Sequence, residues 1–256
     1  MNIEATPDIR DFRPAREELP GRTIAITGAT GGLGTALARY CAEAGATLVL
    51  IGRNEEKLEK LYDVVDSLGK ATPAMLPLEQ DKAGEAACAE AASLIASEIG
   101  GLDMLVHTAS DGGVITPMAN ISHDDWMRIM QVNLGSARLL TLALLPLLKD
   151  STTASVSFLL DDRRKAYWGA YGVSKAALVA LLEILADEYD TPDASGAPAI
   201  SINGYRPGPM RTRFRRARFP GELEEEAPLP IERLGPLLWL MTRQQRALTG
   251  AVLSAT

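Results

Sequence analysis

Short apolar runs alternate with longer stretches of helical period along most of the chain. The runs at residues 23–27, 47–51, 74–78, 104–107, 154–160, 201–205 and 251–253 are expected strands, and those at 47–51, 74–78 and 104–107 are apolar almost throughout, as strands covered on both faces must be. After the first run, Leu33, Ala36, Leu37, Tyr40, Cys41 and Ala44 recur at spacings of three and four, and Gly45 supplies a stop. After the second, Asn54 is placed to cap a helix that carries Glu55 and Glu56 in its first turn. Its apolar stripe is Leu58, Leu61, Tyr62, Val65 and Leu68, ending at Gly69. These are consecutive strand–helix units. They predict a single α/β domain, a Rossmann-type doubly wound parallel sheet of about seven strands with helices on both faces, over residues 19–256. Residues 1–18 read as a polar arm preceding that domain.

Composition narrows the function. A chain of 256 residues, 46% of them hydrophobic, can bury a large core, and a net charge of −7 argues against binding nucleic acid over its surface. A small-molecule partner is the expectation. The apolar run at 139–148 is interrupted by Thr141 and Pro146 and is shorter than the ~18–20 residues of a membrane span, so no membrane partner is expected. The N-terminal stretch lacks an apolar signal core, which makes the cytoplasm the expected location. Cys41 and Cys88 lie in Ala-rich helical patterns and read as small buried thiols. His107 and His123 have no metal-ligand spacing around them, so no metal is expected.

Chemistry enters at Thr27-Gly28-Ala29-Thr30-Gly31-Gly32-Leu33-Gly34, between the first strand and its helix. Glycine there permits positive φ and lets the backbone approach a pyrophosphate, whose charge meets free N–H groups at the helix start. Gly28, Thr30, Gly31, Gly32, Leu33 and Gly34 are therefore candidate dinucleotide-binding residues. At the end of the second strand, where an NAD site places a carboxylate on the ribose hydroxyls, the chain has Gly52-Arg53. A guanidinium suits a 2′-phosphate, so NADP(H) is expected over NAD(H), with Arg53 as its ligand.

Tyr171 and Lys175 stand at i and i+4 at the start of a helical pattern, on one face. An ammonium beside a phenol stabilises the phenolate, so Lys175 is expected to bring Tyr171 closer to a neutral proton exchange.

Taken with the glycine loop, this pair resembles the short-chain dehydrogenase/reductase family over residues 21–254. Asn133 in MQVNLGS resembles the family's catalytic asparagine, and Asn203 with Pro207-Gly208-Pro-Met-Arg-Thr212 resembles its strand and Pro-Gly loop. Through GRNEEKL, PMANISHDDW, ALLPLL, YWGAYGVSK and RTRFRRARFP the chain is especially similar to the bacterial YciK-type oxidoreductases. The resemblance implies hydride transfer between the cofactor and a carbonyl or alcohol, with Tyr171 exchanging the proton. Lys175 would bind the nicotinamide ribose, and Asn133 would hold a water of the proton relay. Ala109, Pro207, Gly208 and Thr212 join the implied cofactor site. It also implies a homodimer or homotetramer, paired through the helices at 134–148 and 176–185.

The chain departs from the family pattern at the active site. Phe158 stands where the family has the serine that binds the substrate oxygen, and the neighbouring hydroxyl, Ser157, is a catalytic candidate only if a bulge shifts the strand register. The family's Asn-Asn-Ala-Gly element is His107-Thr108-Ala109-Ser110, and the acidic residue expected near adenine is replaced in the Pro77-Leu78 region, with Glu79 nearby. These changes keep a second reading open, a cofactor-binding relative with weak or no catalysis that senses redox state or acts as a scaffold. Past the Pro-Gly turn, Arg211, Arg213, Arg215, Arg216 and Arg218 precede Glu222, Glu224, Glu225 and Glu226. This is either a self-compensating solvated element or a lid whose arginines reach cofactor phosphates or an anionic substrate.

Overall fold

The computed structural model describes residues 1–14, 18–69, 71–190, 199–242 and 248–255. Eight strands form one sheet: β1 (Asn2–Glu4), β2 (Thr23–Thr27), β3 (Thr47–Gly52), β4 (Ala74–Pro77), β5 (Met104–His107), β6 (Ser155–Leu159), β7 (Ser201–Arg206) and β8 (Val252–Ser254). All neighbours are parallel and the order is β1-β8-β7-β6-β5-β2-β3-β4. The seven expected strands are present with ends shifted by at most one residue. The eighth lies in the segment read as an arm. β1 adds to β8 in parallel, α1 (Pro7–Arg10) packs so tightly on Gly235 that no side chain fits there, and Ala5 and Leu19 are buried. Residues 2–10 are part of the folded unit because their backbone satisfies an otherwise bare sheet edge. Residues 15–17 of that arm lie outside the described residues.

Both faces are covered, as apolar runs such as Leu48-Val49-Leu50-Ile51 require. On one face Ile24, Ile26, Leu48, Leu50 and Val106 pack against α2 (Gly32–Glu43) and α3 (Glu55–Leu68). On the other, Ala25, Val49, Leu105, Val156 and Phe158 pack against three helices, α4 (Glu85–Glu98), α6 (Ser136–Lys149) and α7 (Gly169–Glu188). Local signals set the helix ends. Asn54 accepts from Lys57 N at 2.9 Å, and Gly45 turns the chain after α2 at φ +89°.

Helix α5 (His123–Met130) runs through a π-helical turn, Gln131–Gly135, into α6, so the helix is continuous over His123–Lys149. This corrects the expectation taken from the short 139–148 run. By length and composition, His123–Lys149 and Gly169–Glu188 are each apolar enough to cross a membrane. Their most apolar stretches are 44% and 50% buried inside the protein, where Leu140, Leu144, Leu178 and Leu182 build the core.

The sheet order reverses between β2 and β5, the neighbours from which the chain winds outward in opposite directions. The crevice at their C-terminal ends is where ligands sit in such sheets, and the loops that follow β2 and β5 meet there.

Candidate active site

Gly28 follows β2 with φ +63°, and a Cβ on it would stand 2.6 Å from Ala109 Cα in the loop after β5. Thr108 clamps the two loops together, its Oγ1 donating to Thr27 O at 2.6 Å. Gly34 is equally restricted, since a side chain there would overlap Gly28 O and Thr108. Gly31 caps α2 without a side chain, and its N–H donates to Gly28 O at 2.8 Å. Among the described residues no acceptor takes the N–H groups of Gly32, Leu33 or Gly34. Free amides at the start of a 12-residue helix, reached over glycines, fit a pyrophosphate. Thr30 is half-buried beside them, Leu33 is buried, and Thr212 closes over the loop, its Cγ2 2.5 Å from where a Gly32 Cβ would be. Arg53 is exposed immediately past β3. Pro207 is buried and Gly208 exposed at φ +70° in the turn after β7. Arg53 follows β3 and Pro207 and Gly208 follow β7, while Gly28, Gly32, Gly34, Ala109 and Thr212, residues 28–212 of the chain, make contacts at the crevice.

Tyr171 and Lys175, one turn apart on α7, are both buried beside it. Lys175 Nζ donates to Leu159 O at 2.8 Å, and burial pulls its pKa down to about 8. The expected depression of Tyr171 by Lys175 is not what this geometry produces. Burial first, and then the Asp161 carboxylate that accepts its hydroxyl at 2.9 Å, raise Tyr171 well above the ordinary 10. Arg218 and Ser110 oppose the rise. A buried phenol next to a carboxylate stays protonated because its anion would face both desolvation and a like charge.

Asn133 lies in the π-helical turn, where the irregular backbone turns it into the crevice. Its Oδ1 accepts from Asp111 N at 2.7 Å, and its Nδ2 donates to Asp111 O at 2.7 Å and to Ser174 Oγ at 2.9 Å. Ser174 in turn donates to Tyr171 O at 2.8 Å, and Arg128 pairs with the Asp111 carboxylate. This chain of bonds fixes the loop after β5 against α7. A water-sized cavity of about 10 Å³ adjoins it, lined by Thr27, Gln80, His107, Asn133 and Ser136 among others.

Ser157 does not reach the site. The β5–β6 and β6–β7 ladders pair every residue in turn, Val106 with Ser157 and Ser157 with Asn203, without a bulge. In this register Ser157 shares a face with Val106, on the α2 side, whereas Phe158 faces α7. Phe158 is fully buried and stacks on His107, ring centres 5.0 Å apart and planes 7° from parallel. His107 binds Thr141 Oγ1 through Nε2 at 2.9 Å, and burial, with a smaller contribution from Lys175, pushes its pKa down to about 3. Among the described residues no group of three or more His, Cys, Asp or Glu side chains is placed to hold a metal.

The short-chain dehydrogenase model matches residues 22–223. The chain belongs to the short-chain dehydrogenase family. It is 33% identical over 247 residues to the oxidoreductase YciK of Escherichia coli K12, described as uncharacterized, with 95% of each chain covered. A short-chain dehydrogenase from Pseudomonas syringae superposes with a TM-score of 0.90 at 37% identity, covering 96% of this chain and 99% of the other. Another from Escherichia coli CFT073, solved in complex with NADPH, superposes at 0.89 with 33% identity, covering 95% and 100%. The chain is thus an oxidoreductase of this family with its Rossmann-type fold.

Several residues of this family member's site were not legible beforehand. Asp161 lies in a loop ten positions before Tyr171, and no periodicity marks which way a loop side chain points. Asp111, Ser174 and Arg128 act through bonds to Asn133 and to one another. Arg218 was one of five lid arginines, and only the packing of Phe214 and Phe219 around Trp168 and Tyr171 separates it from the rest.

Proposed function

We propose that this chain is an NADP(H)-dependent oxidoreductase interconverting a carbonyl and an alcohol on a small molecule, with Tyr171, Lys175 and Asn133 as its working set. The observation that carries the reading is the placement of buried Tyr171 beside Ser110 and buried Lys175 beside His107, in the segment at the end of β5 that packs on the glycine loop at the reversal of the sheet order. The free amides of Gly32, Leu33 and Gly34 fit the cofactor pyrophosphate, and exposed Arg53 favours the 2′-phosphate. The NADPH complex of the Escherichia coli CFT073 relative supports the same cofactor.

When bound, the nicotinamide supplies or accepts the hydride. In the reducing direction Tyr171 gives its hydroxyl proton to the carbonyl oxygen as that oxygen gains negative charge. The substrate oxygen must first take over the hydrogen bond that Asp161 holds. Lys175 is the residue for the ribose hydroxyls, and Asn133 positions the relay through Ser174. Exposed Leu142, Val173 and Ile184 on α6 and α7 support pairing into a homodimer or homotetramer, and a monomer by light scattering would refute it. We place the protein in the cytoplasm, acting on small molecules without nucleic-acid or membrane partners.

A second reading, a cofactor-binding relative with little turnover, is favoured by Phe158 in the serine position and by the Tyr171–Asp161 bond. NADPH oxidation followed at 340 nm over a panel of aldehydes and ketones separates the two. Turnover that Tyr171→Phe abolishes without loss of NADPH binding establishes the oxidoreductase, and NADPH binding with no oxidation favours the second reading.

A further inference from the structure

The five lid arginines meet different fates. Arg215 is neutralised by Glu222, its Nε 2.5 Å from Oε2, and Arg211 Nε reaches Ala227 O at 3.4 Å. Arg218 is different. Its Nη1 and Nη2 donate to Phe214 O and Gly113 O, each at 2.8 Å, and its Cζ stands 3.8 Å from the Phe214 ring centre. The Phe214 ring lies 5.6 Å from that of Tyr171. Nε of Arg218 is buried without an acceptor, and among the described residues no carboxylate lies within ion-pairing distance of the guanidinium. Ser110 stands close enough to Tyr171 to favour its phenolate, yet its buried Oγ makes no hydrogen bond of good geometry. Two orphaned donors thus flank the proposed proton donor, and a buried donor with no acceptor is destabilising unless a ligand supplies one.

The surrounding charges favour an anion. Asp161 is matched by Arg163 at 3.7 Å and Glu222 by Arg215, which leaves the charge of Arg218 uncompensated. The wall beside it is aromatic: Trp168 lies against Tyr171 and Phe219, and Phe214 against Tyr171. Arg218 packs over Gly112 and Gly113, past the end of β5.

We propose that Arg218 and Ser110 form a carboxylate subsite, so that the substrate is an oxo acid or hydroxy acid with a flat apolar body. This inference rests on the oxidoreductase reading for its redox half, whereas the anion subsite stands on its own geometry. Benzoate and benzamide are matched probes, differing in charge but little in shape. Binding is measured by calorimetry and by Trp168-sensitive fluorescence, with and without saturating NADPH. Benzoate is expected to bind the wild-type protein at least tenfold more tightly than benzamide. Arg218→Gln is expected to bring benzoate to the benzamide level, Arg218→Lys to recover part of the difference, and Ser110→Ala to weaken benzoate severalfold with the fold intact. Equal affinities for the two probes, no benzoate binding, or unchanged benzoate binding in both Arg218→Gln and Ser110→Ala overturns the subsite. NADPH oxidation with neutral ketones but no benzoate preference removes the subsite and keeps the oxidoreductase. Selective benzoate binding in a protein that fails to bind NADPH does the reverse.

Discussion

The Tyr171 hydroxyl donates to Oδ2 of Asp161 at 2.9 Å, so the proposed proton donor is held by a carboxylate where its substrate must bind. This arrangement keeps the phenol protonated to high pH. Removing the charge of Asp161 lowers the Tyr171 pKa, because the like-charge repulsion is lost and an amide oxygen is a weaker acceptor for the phenol than a carboxylate. Asp161→Asn is therefore expected to move the basic limb of the pH profile for carbonyl reduction down by about one unit or more. A profile unchanged from wild type would show that Asp161 does not govern Tyr171 during turnover.

Arg53 is predicted to discriminate between the cofactors. It is exposed past β3 and does not support the core, so Arg53→Ala should leave stability within about 0.5 kcal/mol of wild type. A charge-assisted pair with a phosphate contributes about 1.5–3 kcal/mol, so NADPH affinity should fall roughly ten- to a hundredfold. NADH affinity should stay level. Titration of both cofactors by fluorescence checks this, and parallel losses would remove the 2′-phosphate role.

His107 links stability to acid. Its pKa is pushed down to about 3 in the folded protein against an ordinary 6.5, so between these values the unfolded chain binds more protons. Stability is accordingly lost as pH falls from about 6.5 toward about 3, by up to about 1.4 kcal/mol per pH unit from this group. His107→Asn, which keeps a partner for Thr141 and does not titrate, should flatten that decline in urea unfolding measured at pH 7, 6 and 5. An equal slope in the variant would contradict the assignment.

Phe158→Ser is predicted to cost stability. Phe158 is fully buried and stacked on His107, so its removal leaves a cavity and a hydroxyl among apolar groups. The expected loss is about 3–5 kcal/mol, seen as a lower urea midpoint at unchanged slope. A loss below about 1 kcal/mol would mean that the neighbouring side chains collapse into the space.

The parallel sheet, the glycine loop and the Tyr171/Lys175 pair are legible in the chain alone, because each is written in residues close to one another along it. Runs such as Ile24-Ala25-Ile26 specify strands covered on both faces, glycine fixes the turn before α2, and i,i+4 spacing puts two side chains on one helix face. Nothing local marks β1, because three residues with an alternating polar pattern become a strand only once β8 offers an edge to pair with.

The electrostatics of the site arise only on folding. An unbroken register turned Ser157 to the far face and left Phe158 against α7. The loop just past β6 sets Asp161, and not Lys175, against the Tyr171 hydroxyl. Packing over Gly112 and Phe214 separated Arg218 from the four arginines beside it. These outcomes depend on distances and burial that exist only once the chain is folded, and a pKa responds to those distances and not to spacing along the sequence.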